Sequence, residues 1–262
     1  MTDCVIYREI PRCDPRLIDE FAPYSVADLL EAMGALDGRI RLMGPGMRGI
    51  QQGRKIVGQA ITSFNHPGDN VMIHAALNVA TAGDVLVLVN GGNPQGSLWG
   101  DVAATFARRK GIAGVVADGP VRDTAALREM DFRVWSTIVS PSHPEKRGPG
   151  AVNIPVVCGG VLVEPGNIIV ADDDGVLAIP LEQAPDTLET ARQRFEKEAS
   201  LRGQIAAGAS LFELLNMQSL LDAAGARLVE GTWRTGPRPS SRAPAPPTPP
   251  HPCGSPPASS PP

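Results

Sequence analysis

Forty residues, Asp84 to Asp123 (DVLVLVNGGNPQGSLWGDVAATFARRKGIAGVVADGPVRD), limit what this chain can fold into more than any other stretch. Val85 to Val89 is a continuous apolar run led by β-branched residues, the pattern of a strand buried on both faces. Gly91, Gly92, Pro94 and Gly96 then interrupt regular structure for one loop. From Trp99 to Lys110 the pattern turns helical, with Val102, Phe106 and Ala107 spaced to share a face. Gly111 supplies a stop, and Ile112 to Ala117 reads as a second buried strand. A crossover of this length sets the two strands side by side and parallel, a βαβ unit.

That unit has a chemical consequence. The loop with Gly100 and Asp101 and the loop with Arg122 and Asp123 both leave the carboxyl ends of neighbouring parallel strands, where open α/β sheets bind ligands. Asp123 can coordinate Mg²⁺ or Mn²⁺ directly, and Asp101, across the crevice, can hold one of the waters such hard cations keep. Gly100 opens a helix whose first amides lack partners, a cradle for a carboxylate that the absent side chain lets approach. Arg122 offers a planar fork suited to a keto or developing enolate oxygen. Taken singly, GPVRD could be a turn and helix cap with Arg122 paired to Asp123, and Asp101 an ordinary acid at a helix start. Two such loops at adjacent strand ends weigh toward a site.

The flanks read as follows. Asp14 caps a helix with Pro15 at its first position, Pro23 ends it, and Ser25 with Asp28 forms a capping box for SVADLLEAM, closed by Gly34. Residues 38 to 63 read as short strands, KIVGQAITSF the clearest. PGDN (67–70) is a turn, with Asp69 or Asn70 capping a helix over VMIHAALNVA, in which His74 reads as a packed helix residue. Asp123 or Thr124 caps TAALREM, and a strand follows around FRVWS. An irregular loop, SPSHPEKRGPG (140–150), carries His143 and Lys146. Residues 152–180 alternate strands and turns, and Asp172, Asp173 and Asp174 before Gly175 read as turn residues in preference to metal ligands. A helix is expected from Pro185 to Ala207, and one last amphipathic helix from Ser210 to Gly225. Beyond Trp233 nearly half of all 26 prolines crowd into one segment with few large apolar residues. It cannot bury enough surface to offset its ordering entropy, so 236–262 is expected to be a disordered tail after a domain of 1–235.

Composition removes several function classes. Net charge is −4, without a lysine or arginine block, which argues against nucleic acid. No apolar run approaches the roughly 18 residues of a membrane span, and the N-terminus lacks the layout of a signal peptide. Cys4, Cys13, Cys158 and Cys253 share no metal or disulfide spacing, so free thiols in a cytoplasmic protein are expected. Motifs for nucleotide cofactors and for serine or zinc hydrolases are absent.

Residues 100–135 spell GDxxATxxxxxGxxGxVxDGxVRDxxxLxxMxFxVW. With PGDN (67–70), AGDVLVL (82–88), VNIPVVCGG (152–160) and ADDDGV (171–176), this resembles the class II pyruvate aldolases. These are the 4-hydroxy-4-methyl-2-oxoglutarate / 4-carboxy-4-hydroxy-2-oxoadipate aldolases, whose fold is shared with the regulator of ribonuclease activity A. The resemblance spans most of 40–235. It implies an α/β fold, a four-layered αββα sandwich with the βαβ unit carrying the site, assembled as a homotrimer or homohexamer. By position, Asp123 matches the family's metal-binding aspartate and Asp101 the aspartate acting through metal-bound water. Arg122 matches the arginine at the keto oxygen, and Gly100, Asp101, Val102 and Ala103 the loop cradling the pyruvyl carboxylate. Lys146 matches a substrate-binding lysine, although SPSHPEK departs from the family's glycine-containing loop. Glu198 matches a catalytic glutamate reaching a neighbouring subunit's site, with Glu196 close enough in sequence to compete for that role. The implied activity is Mg²⁺- or Mn²⁺-dependent retro-aldol cleavage of small 4-hydroxy-2-oxo acids in aromatic-compound degradation, with oxaloacetate decarboxylation alongside. The alternatives are a lyase or decarboxylase acting on another small keto acid, and a non-catalytic regulator binding a ribonuclease or helicase.

Overall fold

In the computed structural model, which describes residues 4–232, 234 and 235, Val85–Val89 is a strand buried at every position. Its side chains divide by parity, as a pleated strand requires. Leu86 and Leu88 enter one apolar cluster, Val85, Val87 and Val89 another.

The described chain runs β1 (Val5–Ile6), α1 (Pro15–Glu20), α2 (Val26–Ala32), α3 (Asp37–Arg41), β2 (Arg48–Gly49), β3 (Ile56–Asn65), α4 (Val71–Val79) and β4 (Val85–Val89). It continues through α5 (Asp101–Lys110), β5 (Gly114–Val121), α6 (Thr124–Glu129), β6 (Val134–Val139), β7 (Gly150–Val152), β8 (Val156–Cys158) and β9 (Val161–Val163). β10 (Ile168–Ala171), β11 (Val176–Ile179) and the long α7 (Ala184–Ala206) follow.

The main sheet has the order β1-β7-β3-β4-β5-β6-β2, with β3, β4, β5 and β6 successive parallel neighbours. β3 serves two sheets. Its second half, Ala60 to Phe64, pairs with β4, while its first half, Ile56 to Gln59, pairs antiparallel with β10, which in turn pairs with β11. Three apolar clusters separate four layers. The first joins α4, α5 and α6 to the outer face of the parallel strands through Ile73, Leu77, Ala104, Ala107, Leu127 and Leu86. The second lies between β-layers, where Val85, Val87 and Trp135 meet Val161, Ile169 and Ala178. The third packs Ile168, Val170 and Leu177 against Val26, Leu29 and Leu188 of α2 and α7. This is the expected αββα sandwich.

Local chemistry explains several boundaries. The Asp14 side chain accepts from the Arg16 amide with Pro15 at the first helical position, and Ser25 and Asp28 form a complete capping box. Gly111 ends α5 in the left-handed conformation at φ 79°. Asp172 accepts from the Val26 amide, and both carboxylate oxygens of Asp173 accept from the Gly53 amide. The acidic run therefore ties a turn to its surroundings.

Four expectations need correction. Residues 37–41 form the short helix α3, not a strand, because their apolar residues are too sparse for alternation to separate the two. Regular helix begins at Asp101, not Trp99, since Trp99 is drawn into a parallel bridge with Val121. On α5 the buried residues are the small Ala104 and Ala107, whereas Val102 is 78% exposed and Phe106 is also exposed. Two alanines let the helix lie close to the sheet and turn its larger side chains outward. The final helix is broken: α8 (Leu211–Leu214) and α9 (Met217–Ala223) are separated by Asn216 in the left-handed region at φ 49°.

The chain divides into two compact units after Gly203, with α8 and α9 in the second. No helix among the described residues is long and apolar enough to cross a membrane. The expected disordered tail lies outside the described residues. Cys4, Cys13 and Cys158 are free thiols.

Candidate active site

The loops after β4 and β5 meet. Residues 98 and 99 run alongside the end of β5: the Leu98 amide donates to the Pro120 carbonyl at 2.8 Å and the Arg122 amide to the Trp99 carbonyl at 2.9 Å. This brings Gly100 against Asp123. The Asp101 amide lies 3.3 Å from Asp123 Oδ2, and Arg122 Nε is 3.4 Å from the same oxygen. A Cβ at position 100 would stand 2.5 Å from Asp123 Oδ2, so a side chain there would displace that carboxylate. Asp123 occupies the N-cap position of α6 at φ 57°, yet its side chain makes no cap hydrogen bond. The carboxylate meets the Asp101 amide and Arg122 instead, with its side chain about a third exposed, and Asp123 is not itself among the residues that line the adjoining cavity.

Beside this junction opens a cavity of about 480 Å³. Gly100, Asp101, Val102, Ala103, Arg122 and Lys146 all line it, so the substrate-binding set expected from sequence is brought together in one chain. At the start of α5 the Val102 amide is taken by Asp101 Oδ1 at 2.7 Å. The Gly100 and Ala103 amides have no protein acceptor among the described residues. They remain for an anion.

Glu198 does not line the cavity. It sits on α7, paired with Arg202 at 3.2 Å and with Arg194 at 3.9 Å, and Glu196 is exposed on the same helix. Within one chain neither glutamate joins the site.

Sequence reading missed the opposite wall. Asn70, Ile73, His74 and Leu77 line the cavity from the start of α4. They fall at i, i+3, i+4 and i+7, a single helix face that spacing alone could have exposed. His74 is therefore a cavity residue, not merely a packed one. Its imidazole is held below its ordinary value, first by desolvation and then by the charge of Lys146. His143, from the 140–150 loop, lines the same space. Asn70 Oδ1 and Trp99 Nε1 are buried polar atoms at this wall without a hydrogen-bond partner, although the Asn70 amide nitrogen reaches the Ser97 carbonyl at 3.3 Å.

The donor set limits which metal could sit here. Among the described residues no three His, Cys, Asp or Glu side chains are placed to share an ion. A zinc-type site built wholly from protein ligands does not fit. Asp123 with Asp101 nearby does suit a hard cation that keeps most of its waters and takes one or two carboxylates.

Two carboxylates, an arginine and a helix start with unpaired amides thus stand at the ends of parallel strands in a four-layered α/β sandwich. The chain belongs to the RraA-like family, described as Aldolase/RraA, whose model matches residues 26–178. A 4-hydroxy-4-methyl-2-oxoglutarate aldolase of Thermus thermophilus is 39% identical over 112 residues, 43% of this chain and 68% of the relative. The crystal structure of Streptomyces coelicolor RraAS2, described as an unusual member of the RNase ES inhibitor RraA protein family, is similar at 31% identity. It has a TM-score of 0.68 and covers 74% of this chain and 99% of that one. An uncharacterized protein from Pseudomonas syringae pv. tomato superposes with a TM-score of 0.71 at 27% identity, covering 80% and 97%. The family thus holds members named for aldol cleavage and members named for ribonuclease inhibition.

Proposed function

We propose that this protein is a class II aldolase that cleaves 4-hydroxy-2-oxo acids, such as 4-carboxy-4-hydroxy-2-oxoadipate or 4-hydroxy-4-methyl-2-oxoglutarate, releasing pyruvate and a second keto acid. The observation that carries the reading is the junction of the two loops: Asp123 Oδ2 stands 3.3 Å from the Asp101 amide and 3.4 Å from Arg122 Nε, and Asp101 and Arg122 line a cavity together with Lys146. Asp123 would hold Mg²⁺ or Mn²⁺ directly and Asp101 through water. When bound, such a cation supplies Lewis-acid stabilisation of the charge that develops on the keto oxygen.

The protein's own residues do the rest. The Gly100 and Ala103 amides receive the pyruvyl carboxylate, and Arg122 donates its fork to the 2-keto oxygen. A water held by the Asp101 and Asp123 carboxylates takes the C4 hydroxyl proton and later returns it to C3. As the proton leaves, the C3–C4 bond breaks and its electron pair moves through C3 to the keto oxygen, giving the pyruvate enolate. Arg122 stabilises that charge, and protonation at C3 completes pyruvate while C4 leaves as the carbonyl of the coproduct. Preorganised donors aimed at developing charge usually contribute more to such catalysis than any other single effect. The same enolate forms when oxaloacetate loses carbon dioxide, so oxaloacetate decarboxylation belongs to the proposal. Lys146 adds positive charge for an anionic substrate, while Ile73, Leu77, Val102 and Phe106 give the cavity an apolar side. Glu198 would serve a neighbouring subunit's site in a homotrimer or homohexamer.

The test is pyruvate release coupled to lactate dehydrogenase, with and without EDTA, then with Mg²⁺ or Mn²⁺ restored. Turnover should vanish with chelation and return with metal; pyruvate release indifferent to EDTA would end the metal-dependent reading. A regulatory role, as in the ribonuclease-inhibitor relatives, is the second reading, drawn from the 31% identity to RraAS2. Asp101 and Arg122 at the cavity wall, with Asp123 against both, favour the enzyme.

A further inference from the structure

The loop from residue 140 to 149 delivers His143, Pro144 and Lys146 to the cavity wall but contains no helix or strand of its own. Its position is set from outside. On one flank the Ser97 amide donates to the Ser142 carbonyl at 2.9 Å and the Ser97 hydroxyl to the Ser140 carbonyl at 2.6 Å. On the other flank the PGDN turn takes hold. The Glu145 amide donates to the Gly68 carbonyl at 2.8 Å and the Asn70 amide to the Glu145 carbonyl at 3.1 Å. Asp69 completes the grip. Its side chain accepts through Oδ1 from the Val71 amide at 2.7 Å, and through Oδ2 from the amides of Arg147 and Gly148, the latter at 3.1 Å.

Asp69 is only 3% exposed. A buried carboxylate is costly unless its oxygens are satisfied, and here backbone amides satisfy both. Burial by itself pushes the Asp69 carboxyl up. The amides of Arg147, Val71 and Gly148 and the charge of His66 outweigh it, so the group is held below its usual range. Lys146 thus lies between a residue pinned by main-chain bonds, Glu145, and two amides pinned by one carboxylate. Its own side chain is exposed and lines the cavity.

We propose that Asp69 is a positioning residue for the aldol site: by fixing the backbone on the far side of Lys146, it sets where that ammonium stands and so how tightly the keto acid is held. The proposal rests on the aldolase reading for its kinetic consequence but not for its geometric one. In Asp69→Asn, one oxygen becomes an NH₂ that confronts an amide donor whichever way the side chain turns, and the charge behind the remaining contacts is gone, so the grip on Val71, Arg147 and Gly148 is weakened while the side-chain shape is kept. A charge-assisted contact displaced in this way should raise KM by about tenfold with kcat within about threefold.

The experiment has two independent arms. Steady-state kinetics compares wild type, Asp69→Asn, Lys146→Met and the double variant, with the double variant expected to be no worse than Lys146→Met alone. Multiplying effects, or a loss confined to kcat, would overturn the proposal. The second arm needs no turnover. Hydrogen exchange at the Arg147 and Gly148 amides should accelerate in Asp69→Asn, and the His74 imidazole should titrate closer to its ordinary value as Lys146 moves off. Unchanged exchange and an unchanged His74 titration would overturn it even if the wild type proves inactive, whereas failure of the aldolase reading alone leaves this arm standing. Should Asp69→Asn not fold, Asp69→Ser keeps an acceptor for Val71 but not for Arg147 and Gly148, and carries the same expectations.

Discussion

Gly100→Ala tests the meeting of the two loops with one methyl group. Gly100 has φ −161° and ψ −174°, an extended conformation open to alanine, so the change carries no backbone strain. All of its cost is local. The new Cβ would stand 2.5 Å from Asp123 Oδ2, with Arg122 Cγ at 3.3 Å and Nε at 3.4 Å. Restoring an ordinary contact of about 3.4 Å from 2.5 Å requires a shift of about 0.9 Å. Asp123 has no cap bond to hold it, so the carboxylate gives way, breaking its 3.3 Å contact with the Asp101 amide and disturbing Arg122. A misplacement of about 1 Å in a catalytic constellation costs on the order of 10²-fold in rate. We therefore expect kcat/KM for pyruvate release to fall by about 10²-fold, or about 2.7 kcal/mol of transition-state stabilisation, with the thermal midpoint within a few degrees of wild type. Gly203→Ala is the matched control, since a Cβ there meets nothing within 4 Å. Its activity should be unchanged and its helix slightly more stable. A Gly100→Ala enzyme within about threefold of wild type would overturn this picture of the crevice, which would then be wider than 2.5 Å implies.

Other substitutions probe separate residues. Arg122→Lys should cost at least about 10²-fold in kcat/KM with the fold intact, because a point charge cannot reproduce the planar fork; near-normal kinetics would remove Arg122 from the keto oxygen. Histidine NMR should place His74 below its ordinary value and Lys146→Met should raise it, since desolvation and the Lys146 charge both disfavour the imidazolium. By linkage, the unfolded chain takes up that proton first. His74 therefore costs stability as pH falls through the unfolded value of about 6.5, a loss complete below the folded value and blunted in Lys146→Met; an unmoved resonance would separate the two residues. Lys55 donates to the carbonyls of Phe21, Ala22 and Tyr24 at the junction of α1 and α2. Lys55→Met leaves those acceptors without their ammonium and should lower unfolding free energy by about 1–3 kcal/mol in urea titration, an unchanged midpoint contradicting that role.

The inner layers were readable from sequence because their residues obey simple periods. Val85–Val89 alternates between two cores, and Gly111 stops α5 where the left-handed conformation is needed. The site half on β4 and β5 was legible for the same reason, since strand–loop–helix grammar fixes where Gly100, Asp101, Arg122 and Asp123 emerge. Legibility failed where tertiary contact overrides local pattern. Val102 and Phe106 have core-like spacing but face outward, because two alanines already satisfy the sheet. Trp99 fits a helical pattern but is captured by Val121. Spacing sets His74 on one helix face with Asn70, Ile73 and Leu77, but that this face meets a cavity depends on α4 packing beside β3 and β7. The role of Asp69 depends on amides nearly eighty positions away, and turn chemistry at PGDN says nothing of them.

Whether the two loops share one cation can be seen outright in the anomalous difference map of crystals soaked with Mn²⁺ and pyruvate. One ion is expected about 2.0–2.2 Å from an Asp123 carboxylate oxygen, with waters bridging to Asp101, the pyruvate carboxylate on the Gly100 and Ala103 amides and its keto oxygen at Arg122. Manganese bound away from Asp123, or pyruvate seated outside this cavity, would contradict it.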